Sequence, residues 1–319
     1  MRLLVGDIGG TNTRLATYDG QTLSNLRRWR NRSLGSLDEA IEAYMAEELP
    51  FDAACLGVAG PVQHGRAPMM NYPWVIHQAQ MTRLIGAPTR LVNDFHAQAL
   101  AIPTLDGSDV EPLDQLPDGP ADNLVVLGPG TGFGEAILTR TSHGWHVVAG
   151  EGSHGRFAPQ NERQVGLWRF LSRRYPDHVS VERVVSGPGI VNIYEFVTEN
   201  LPQDPRVSGP DKAAQITQLA IEGRCAHCVE AVEIFVDVFA DEAATMSLKC
   251  LADRVYLAGG IPPKILPFLR ARFRAAFENK GRYRTIQQAV GIRVVHHADP
   301  GLVGAGIGAL AYAQLNDSA

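Results

Sequence analysis

The stretch Leu3-Leu4-Val5-Gly6-Asp7-Ile8-Gly9-Gly10-Thr11-Asn12-Thr13-Arg14-Leu15-Ala16 reads as an apolar strand, a tight glycine turn and a returning strand. That order constrains the chain more than anything else in it. A P-loop needs Gly-Lys-Ser/Thr after its glycines, and a dinucleotide fingerprint needs a helix there. Thr13 to Tyr18 reads as a strand, so neither applies. Gly9 and Gly10 accept positive φ and let a ligand approach the backbone. Successive amides in such a turn form an anion-binding concavity. Thr11, Asn12 and Thr13 add side-chain donors, and Asp7 supplies a carboxylate where a hydrated Mg²⁺ beside a phosphate would sit. A plain hairpin turn is the competing reading of a Gly-Gly pair. The longer string, Asp7 to Arg14, favours phosphate.

A second unit of the same kind begins at Asn123. Asn123 to Leu127 is apolar, Gly128-Pro129-Gly130-Thr131-Gly132-Phe133-Gly134 is the turn, and Glu135 to Thr139 returns. Around these units the pattern predicts a third strand over 22–30 and an amphipathic helix to about Leu49 behind a capping box at Ser36-Leu37-Asp38-Glu39. A buried strand over 51–58 ends in Ala59-Gly60-Pro61-Val62. Asn71-Tyr72-Pro73-Trp74 reads as a loop, followed by a helix over 77–85. A strand over 89–92 delivers Asn93-Asp94 to a helix over 95–102. Residues 103–120 read as a crossover between domains. Helices are predicted over 162–174, 190–199, 212–222, 226–252, 264–277 and 301–315, and strands over 254–257 and 292–296. The strand-strand-strand-helix-strand-helix order, met twice, predicts a two-domain α/β protein with mixed sheets.

The bulk composition narrows the partners. The chain has 319 residues, 45% hydrophobic and 20% charged, with a net charge of −5, which predicts no nucleic acid and no anionic membrane as partner. No apolar run approaches the roughly 18 residues of a membrane span. Met1-Arg2 leads straight into the first strand, so the reading expects neither a signal peptide nor an N-terminal DNA-binding domain. Cys225-Ala226-His227-Cys228 could be redox-active or half a zinc site, but it falls in a helical pattern with no second ligand pair at suitable spacing. Reduced, semi-buried thiols are expected.

Several residues have the chemistry of a phosphoryl transfer to an alcohol. Asp94 stands at a strand tip, where a carboxylate can take the proton of an attacking hydroxyl; standing just before Phe95, it equally suits a helix cap. Asn93 can donate to and accept from a hydroxyl. Glu151, His154 and Glu182 have the acceptors and the donor that adjacent hydroxyls would need, but taken one at a time Glu151 and His154 read as solvated loop residues and Glu182 as a surface strand residue. Gly259-Gly260, between a strand and Pro262-Pro263, is a third turn open to close backbone approach, or a simple strand-to-helix turn.

Taken in order, these motifs resemble the bacterial glucokinases, within the hexokinase, actin and heat-shock chaperone superfamily. The resemblance is carried by Gly6-Asp7-Ile8-Gly9-Gly10-Thr11-Asn12, Asn93-Asp94-Phe95, Gly128 to Gly134, Glu151-Gly152-Ser153-His154, Glu182 to Gly189, Cys225 to Cys228, Ala258-Gly259-Gly260-Ile261 and Arg274 to Arg282. It implies a two-domain ribonuclease-H-like fold of the actin and hexokinase type, with mixed sheets and an interdomain cleft. Residues 1–105 with 301–319 form the smaller domain and 106–300 the larger. It implies ATP-dependent phosphorylation of glucose at the 6-hydroxyl, with Asp94 as base and Asn93, Asp94, Glu151, His154 and Glu182 on the sugar. The nucleotide lies against Gly6, Asp7, Ile8, Gly9, Gly10, Thr11, Asn12, Gly130, Thr131 and Gly132, with Gly259 and Gly260 beside it; Mg²⁺ sits near Asp7, held through water. A cytoplasmic homodimer whose domains close over the sugar is implied as well. Two departures stand out: Ser153 replaces a glycine of the family's sugar loop, and Arg156 stands where an acidic residue is expected. They leave a kinase for another hexose or amino sugar, and a catalytically weak sugar sensor, as alternatives.

Overall fold

A computed structural model of the chain describes residues 1–48, 50–69 and 72–317, with side chains up to residue 314. Leu49, at the predicted end of the first helix, and Asn71, in the predicted aromatic loop, lie outside the described residues. The chain divides into two compact units: Met1–Asp106 with Val147–Ala149 and His297–Ala319, and Gly107–His146 with Gly150–His296.

In the first unit β1 (Leu3–Ile8), β2 (Asn12–Tyr18) and β3 (Leu23–Arg30) form a meander, followed by α1 (Leu37–Met45), β4 (Ala53–Val58), a small ribbon of β5 (Arg66–Pro68) and β6 (Val75–His77), α2 (Gln78–Ile85), β7 (Thr89–Asn93) and α3 (Asp94–Ala101). Among the described residues the main sheet has five strands in the order β3-β2-β1-β4-β7, with β1 antiparallel to β2 and parallel to β4. All six residues of β1 and of β4 are buried, as near-continuous apolar strands covered on both faces must be. Leu4, Ile8 and Leu56 pack with Leu37, Ile41 and Tyr44 of α1 on one face. Leu3, Val5 and Cys55 pack with Leu302, Ala305 and Ala309 on the other. Those last residues belong to the C-terminal helix, Pro300–Asp317. A Cβ on its Gly304 would stand 1.6 Å from the Ala97 carbonyl oxygen, so the small residues of this helix are what let it lie on α3.

The second unit repeats the plan. It contains β8 (Val110–Pro112), β9 (Asn123–Pro129), β10 (Phe133–Thr141), the ends of β11 (Gly144–Gly150, whose Val147–Ala149 group with the first unit), α4 (Glu162–Arg174), α5 (Gly187–Val197), α6 (Lys212–Ile221), α7 (Ala226–Cys250), β12 (Arg254–Leu257), α8 (Leu266–Phe268), α9 (Arg274–Phe277), α10 (Arg284–Gln288) and β13 (Gly291–Val295). The sheet order is β11-β10-β9-β12-β13-β8. Its first five positions match the first unit, including the antiparallel opening pair and the parallel strands beyond it. Phe235 and Phe239 of α7 and Phe273 and Phe277 form the centre of its core.

Three local expectations are corrected. The capping box is not made: Ser36 makes no side-chain cap bond, and the Glu39 carboxylate accepts from the Gly35 amide at 3.0 Å rather than from the amide of Ser36. The stretch predicted as a crossover, 103–120, contributes β8, which pairs antiparallel with β13. Asp114 holds it there, accepting from the Ile292 amide at 2.6 Å and from Arg293 at 3.1 Å. The predicted continuous helix over 264–277 is broken into a 3₁₀ turn, α8, a π-turn at Leu269–Phe273 and α9; Pro262, Pro263 and Pro267 withhold the amide donors that regular winding needs. The cysteines follow the expectation of free thiols in a helical segment: Cys225 lies at the N-cap of α7, its Sγ accepting from the Cys228 amide at 3.4 Å, and both thiols are buried.

Candidate active site

Three parallel strands of the first unit end together. Ile8 pairs with Val58 and Val58 with Asn93, so the Gly9–Thr11 turn, Ala59-Gly60 and Asn93-Asp94 share the carboxyl edge of the sheet, where open α/β sheets bind ligands. Two glycines permit this. A Cβ on Gly6 would stand 2.7 Å from Leu56 Cδ2, and one on Gly57 would stand 3.4 Å from the Asp94 Cα and 3.2 Å from the Ala97 Cβ. Gly6 and Ile8 are thus committed to the core, and only their backbones are available to a ligand. The turn itself does not use left-handed backbone at Gly9. Its Gly9 amide donates to the Asn12 carbonyl at 3.0 Å, while Thr11 and Asn12 are exposed.

Asn31, just beyond β3, buttresses this turn. It is fully buried. Its Nδ2 donates to the Gly9 carbonyl at 2.8 Å, its Oδ1 accepts from Thr13 Oγ1 at 2.9 Å, and its amide donates to the Thr11 carbonyl at 2.9 Å. Asp7, at the foot of the turn, pairs with Arg14, which also reaches Asp299 at 2.5 Å. Burial pushes the Asp7 carboxyl above the usual carboxylate range; Arg14 opposes that and Asp299 adds to it.

The structure separates the two readings of Asn93-Asp94. Asn93 is the cap: its Oδ1 accepts from the Phe95 amide at 2.9 Å and the His96 amide at 3.1 Å, and its Nδ2 donates to the Gly60 carbonyl at 3.1 Å. Asp94 is the first helical residue, and its Oδ1 also accepts from the Phe95 amide at 2.8 Å. The sequence reading had put the capping alternative on Asp94.

In the second unit the Gly130 amide donates to the Gly132 carbonyl at 2.8 Å, closing the hairpin with Thr131 exposed at its tip. Glu182 lies in a 3₁₀ turn, Val181–Arg183, rather than on a surface strand. Its Oε2 accepts from the Phe133 amide at 2.9 Å, and the Gly187 amide donates to the Gly130 carbonyl at 2.8 Å. Glu182, Gly130, Thr131 and Gly132 are therefore brought together. Gly259 has φ +82°, and a Cβ there would stand 2.7 Å from the Pro129 carbonyl oxygen. It is required by packing against the end of β9, whereas a Cβ on Gly260 would meet nothing within 4 Å.

The Glu151–His154 stretch forms a short 3₁₀ turn at Gly152–His154. His154 Nε2 lies 3.7 Å from Glu151 Oε2, and the two side chains are 55% and 56% exposed. Ser153 is turned inward and is 1% exposed. Beneath the turn is Glu135, 2% exposed, with no hydrogen-bond partner for either carboxyl oxygen among the described residues. Sequence reasoning missed Asn31, Asp299 and Glu135. Only Glu135 left a signal there, as a charge two residues from Phe133 and two from Ile137 on an otherwise apolar strand face.

Comparison with known proteins names the assembly. The model of the glucokinase family matches residues 4–312. This chain belongs to the glucokinase family. It is 35% identical over 311 residues to the glucokinase of Yersinia pestis (strain Pestoides F), covering 95% of this chain and 94% of the relative. The glucokinase of an Antarctic psychrotroph superposes with a TM-score of 0.81 at 30% identity, covering 97% of this chain and 99% of that one. Two more distant structures share the fold. A Balamuthia mandrillaris glucokinase in complex with glucose has a TM-score of 0.84 at 22% identity, covering 97% of this chain and 93% of its own. A Streptomyces griseus ROK-family glucokinase in complex with glucose and AMPPNP has a TM-score of 0.69 at 18% identity, covering 98% and 100%. The chain is thus a hexokinase-type sugar kinase, an enzyme that phosphorylates glucose. The family match spans both glycine hairpins and every candidate site residue named above.

Proposed function

We propose that this glucokinase transfers the γ-phosphoryl group of ATP to the 6-hydroxyl of glucose, with Asp94 as the general base. The observation that supports it best is the division of labour at the α3 start. Asn93 satisfies the first amides of the helix, so the Asp94 carboxylate need not serve as the cap. It stands at the carboxyl edge of the sheet that carries the phosphate-type hairpin. A carboxylate there holds the attacking hydroxyl in line and accepts its proton as the bond to phosphorus forms. Asn93, Glu151, His154 and Glu182 are assigned to the remaining sugar hydroxyls.

The donor phosphates are assigned to the backbone of Gly6 to Asn12 and to the Gly130-Thr131-Gly132 hairpin, where amides rather than lysines supply the positive ends of dipoles. Gly260 suits the nucleotide's remaining contact better than Gly259, whose missing side chain is taken up by β9. ATP is the donor suggested by the AMPPNP bound to the Streptomyces griseus relative. Mg²⁺ fits the donor chemistry at the hairpin foot. Asp7 is a hard oxygen donor, and a nucleotide-borne Mg²⁺ needs only one or two carboxylates besides phosphates and water. Among the described residues no cluster of three or more His, Cys, Asp or Glu is placed to cage a metal, which suits an ion carried in by the nucleotide. When bound it neutralises charge on the transferring phosphoryl group. Among the described residues no helix is long and apolar enough to cross a membrane.

The test is ADP release from Mg·ATP over a hexose panel, with a no-sugar control and Asp94→Ala. Glucose-dependent release abolished in the variant is the expected result. Release driven by another hexose would move the specificity, and unimpaired turnover by Asp94→Ala would remove the base assignment.

A further inference from the structure

Glu135 is a buried acid that the proposed reaction does not use. It lies on β10 two residues after Phe133, whose ring meets Phe239 of α7 edge-on at 5.8 Å between centroids. The residue is 2% exposed, and neither carboxyl oxygen has a hydrogen-bond donor among the described residues. Above it, the Cβ that Gly152 lacks would stand 2.4 Å from Oε2. The carboxyl thus occupies the side-chain space of a glycine in the very turn that carries Glu151 and His154. The charged groups acting on it are Glu242 and Lys249 from α7 and Glu151 from the turn. Two carboxylates against one ammonium, with no donor at hand, is a poor setting for a further negative charge. Burial, with Glu242 and Glu151 adding and Lys249 opposing, pushes the Glu135 carboxyl up to about 8.

We propose that Glu135 is a positioning residue for the sugar-binding turn: as a neutral acid it is the floor on which Gly152 rests, and its ionisation displaces the turn and weakens glucose binding. The inference rests on the reading that Glu151 and His154 bind the sugar. It makes Glu135 a residue through which alkaline pH acts on glucose affinity rather than on the chemical step.

The experiment is the pH dependence of KM for glucose, KM for ATP and kcat, from pH 6.5 to 9.5, for the native enzyme and Glu135→Gln. If only the neutral acid supports the turn, the native KM for glucose rises about tenfold between pH 7 and pH 9, with KM for ATP unmoved. In Glu135→Gln, which cannot ionise, it stays flat. A native profile with no rise, or the same rise in the variant, overturns the proposal. Glu151→Gln and His154→Ala at pH 7 separate the two layers: if neither raises KM for glucose, the sugar-site reading fails. If they raise it while Glu135→Gln keeps the native pH profile, only the positioning role fails. A second arm does not depend on pH. Gly152→Ala is expected to raise KM for glucose in the native background but not in a Glu135→Ala background, where the methyl has room. Equal effects in both backgrounds overturn the proposal.

Discussion

Glu182 Oε2 accepts a hydrogen bond from the Phe133 amide at 2.9 Å, tying the turn at Val181–Arg183 to the glycine hairpin of the second unit. A residue assigned to the sugar is therefore also a strut for a loop assigned to the nucleotide. Gly132 must be glycine for this to happen, since a Cβ there would stand 2.8 Å from the same oxygen. The Gly187 amide braces the hairpin from the start of α5.

Replacing Glu182 should therefore affect both substrates. Glu182→Gln keeps an acceptor for the Phe133 amide, so KM for glucose rises and KM for ATP changes little. Glu182→Ala strands that amide, and losing a hydrogen bond to a charged group costs about 1.5–3 kcal/mol. KM for both substrates then rises by about tenfold or more. Steady-state kinetics of the two variants distinguish these outcomes.

Asp94→Asn is expected to lower kcat by about 10²–10⁴-fold while glucose still binds. The α3 cap is kept, because Asn93 supplies it. The converse variant, Asn93→Ala, costs about 1 kcal/mol of stability through the lost cap. Denaturant midpoints measured alongside turnover would expose a mistaken assignment.

Asn31 carries a prediction for the first hairpin. Asn31→Ala leaves the Gly9 carbonyl and the Thr13 hydroxyl without their partner, a desolvation cost of about 1–3 kcal/mol per buried group. KM for the phosphoryl donor rises more than KM for glucose. Thr13→Val removes one of the two bonds and should have a smaller effect in the same direction.

Asp114 predicts an acid limit to stability. Burial pushes its carboxyl up, but donors from Ile292, Leu116 and Arg293, with the charge of Arg274, outweigh that and hold it below the ordinary 3.8 of an aspartate. Its contribution is present above that value and is lost as pH falls through the lower native one. Asp114→Asn at neutral pH leaves Arg293, 2% exposed, with Asp118 as its remaining carboxylate, and the lost charge-assisted hydrogen bonds cost about 1.5–3 kcal/mol. The difference from the native enzyme should close on acidification below pH 3.8.

Glu135 titrates in the opposite sense. Its native carboxyl, at about 8, lies above the ordinary 4.5, so the folded state keeps a proton that the unfolded chain has released. Stability from this group is full below pH 4.5 and falls as pH rises towards 8, by at most about 1.4 kcal/mol per pH unit. Glu135→Gln should therefore gain stability relative to the native enzyme across that window. Urea unfolding at pH 5 and pH 8 checks the sign.

Local pattern carried a large part of this protein. The strand-turn-strand order at Leu3–Ala16 and again at Asn123–Thr139, the apolar runs of β1, β4 and β9, and the helix periods were readable because they depend on neighbours a few residues apart. So was the order of site motifs, since a glycine turn or a strand tip is a local object. Tertiary structure decided what each polar residue does. Whether Asn93 or Asp94 caps α3 depends on which side chain reaches the Phe95 and His96 amides. Asn31 and Thr13 are 18 residues apart in sequence, and Arg14 and Asp299 are 285 apart. Glu182 reaches the Phe133 amide across 49 residues, and Glu135 lies under Gly152 only because β10 passes beneath that turn. Periodicity reports which face of an element is apolar. It says nothing about which distant donor, or which missing Cβ, a buried carboxyl will meet.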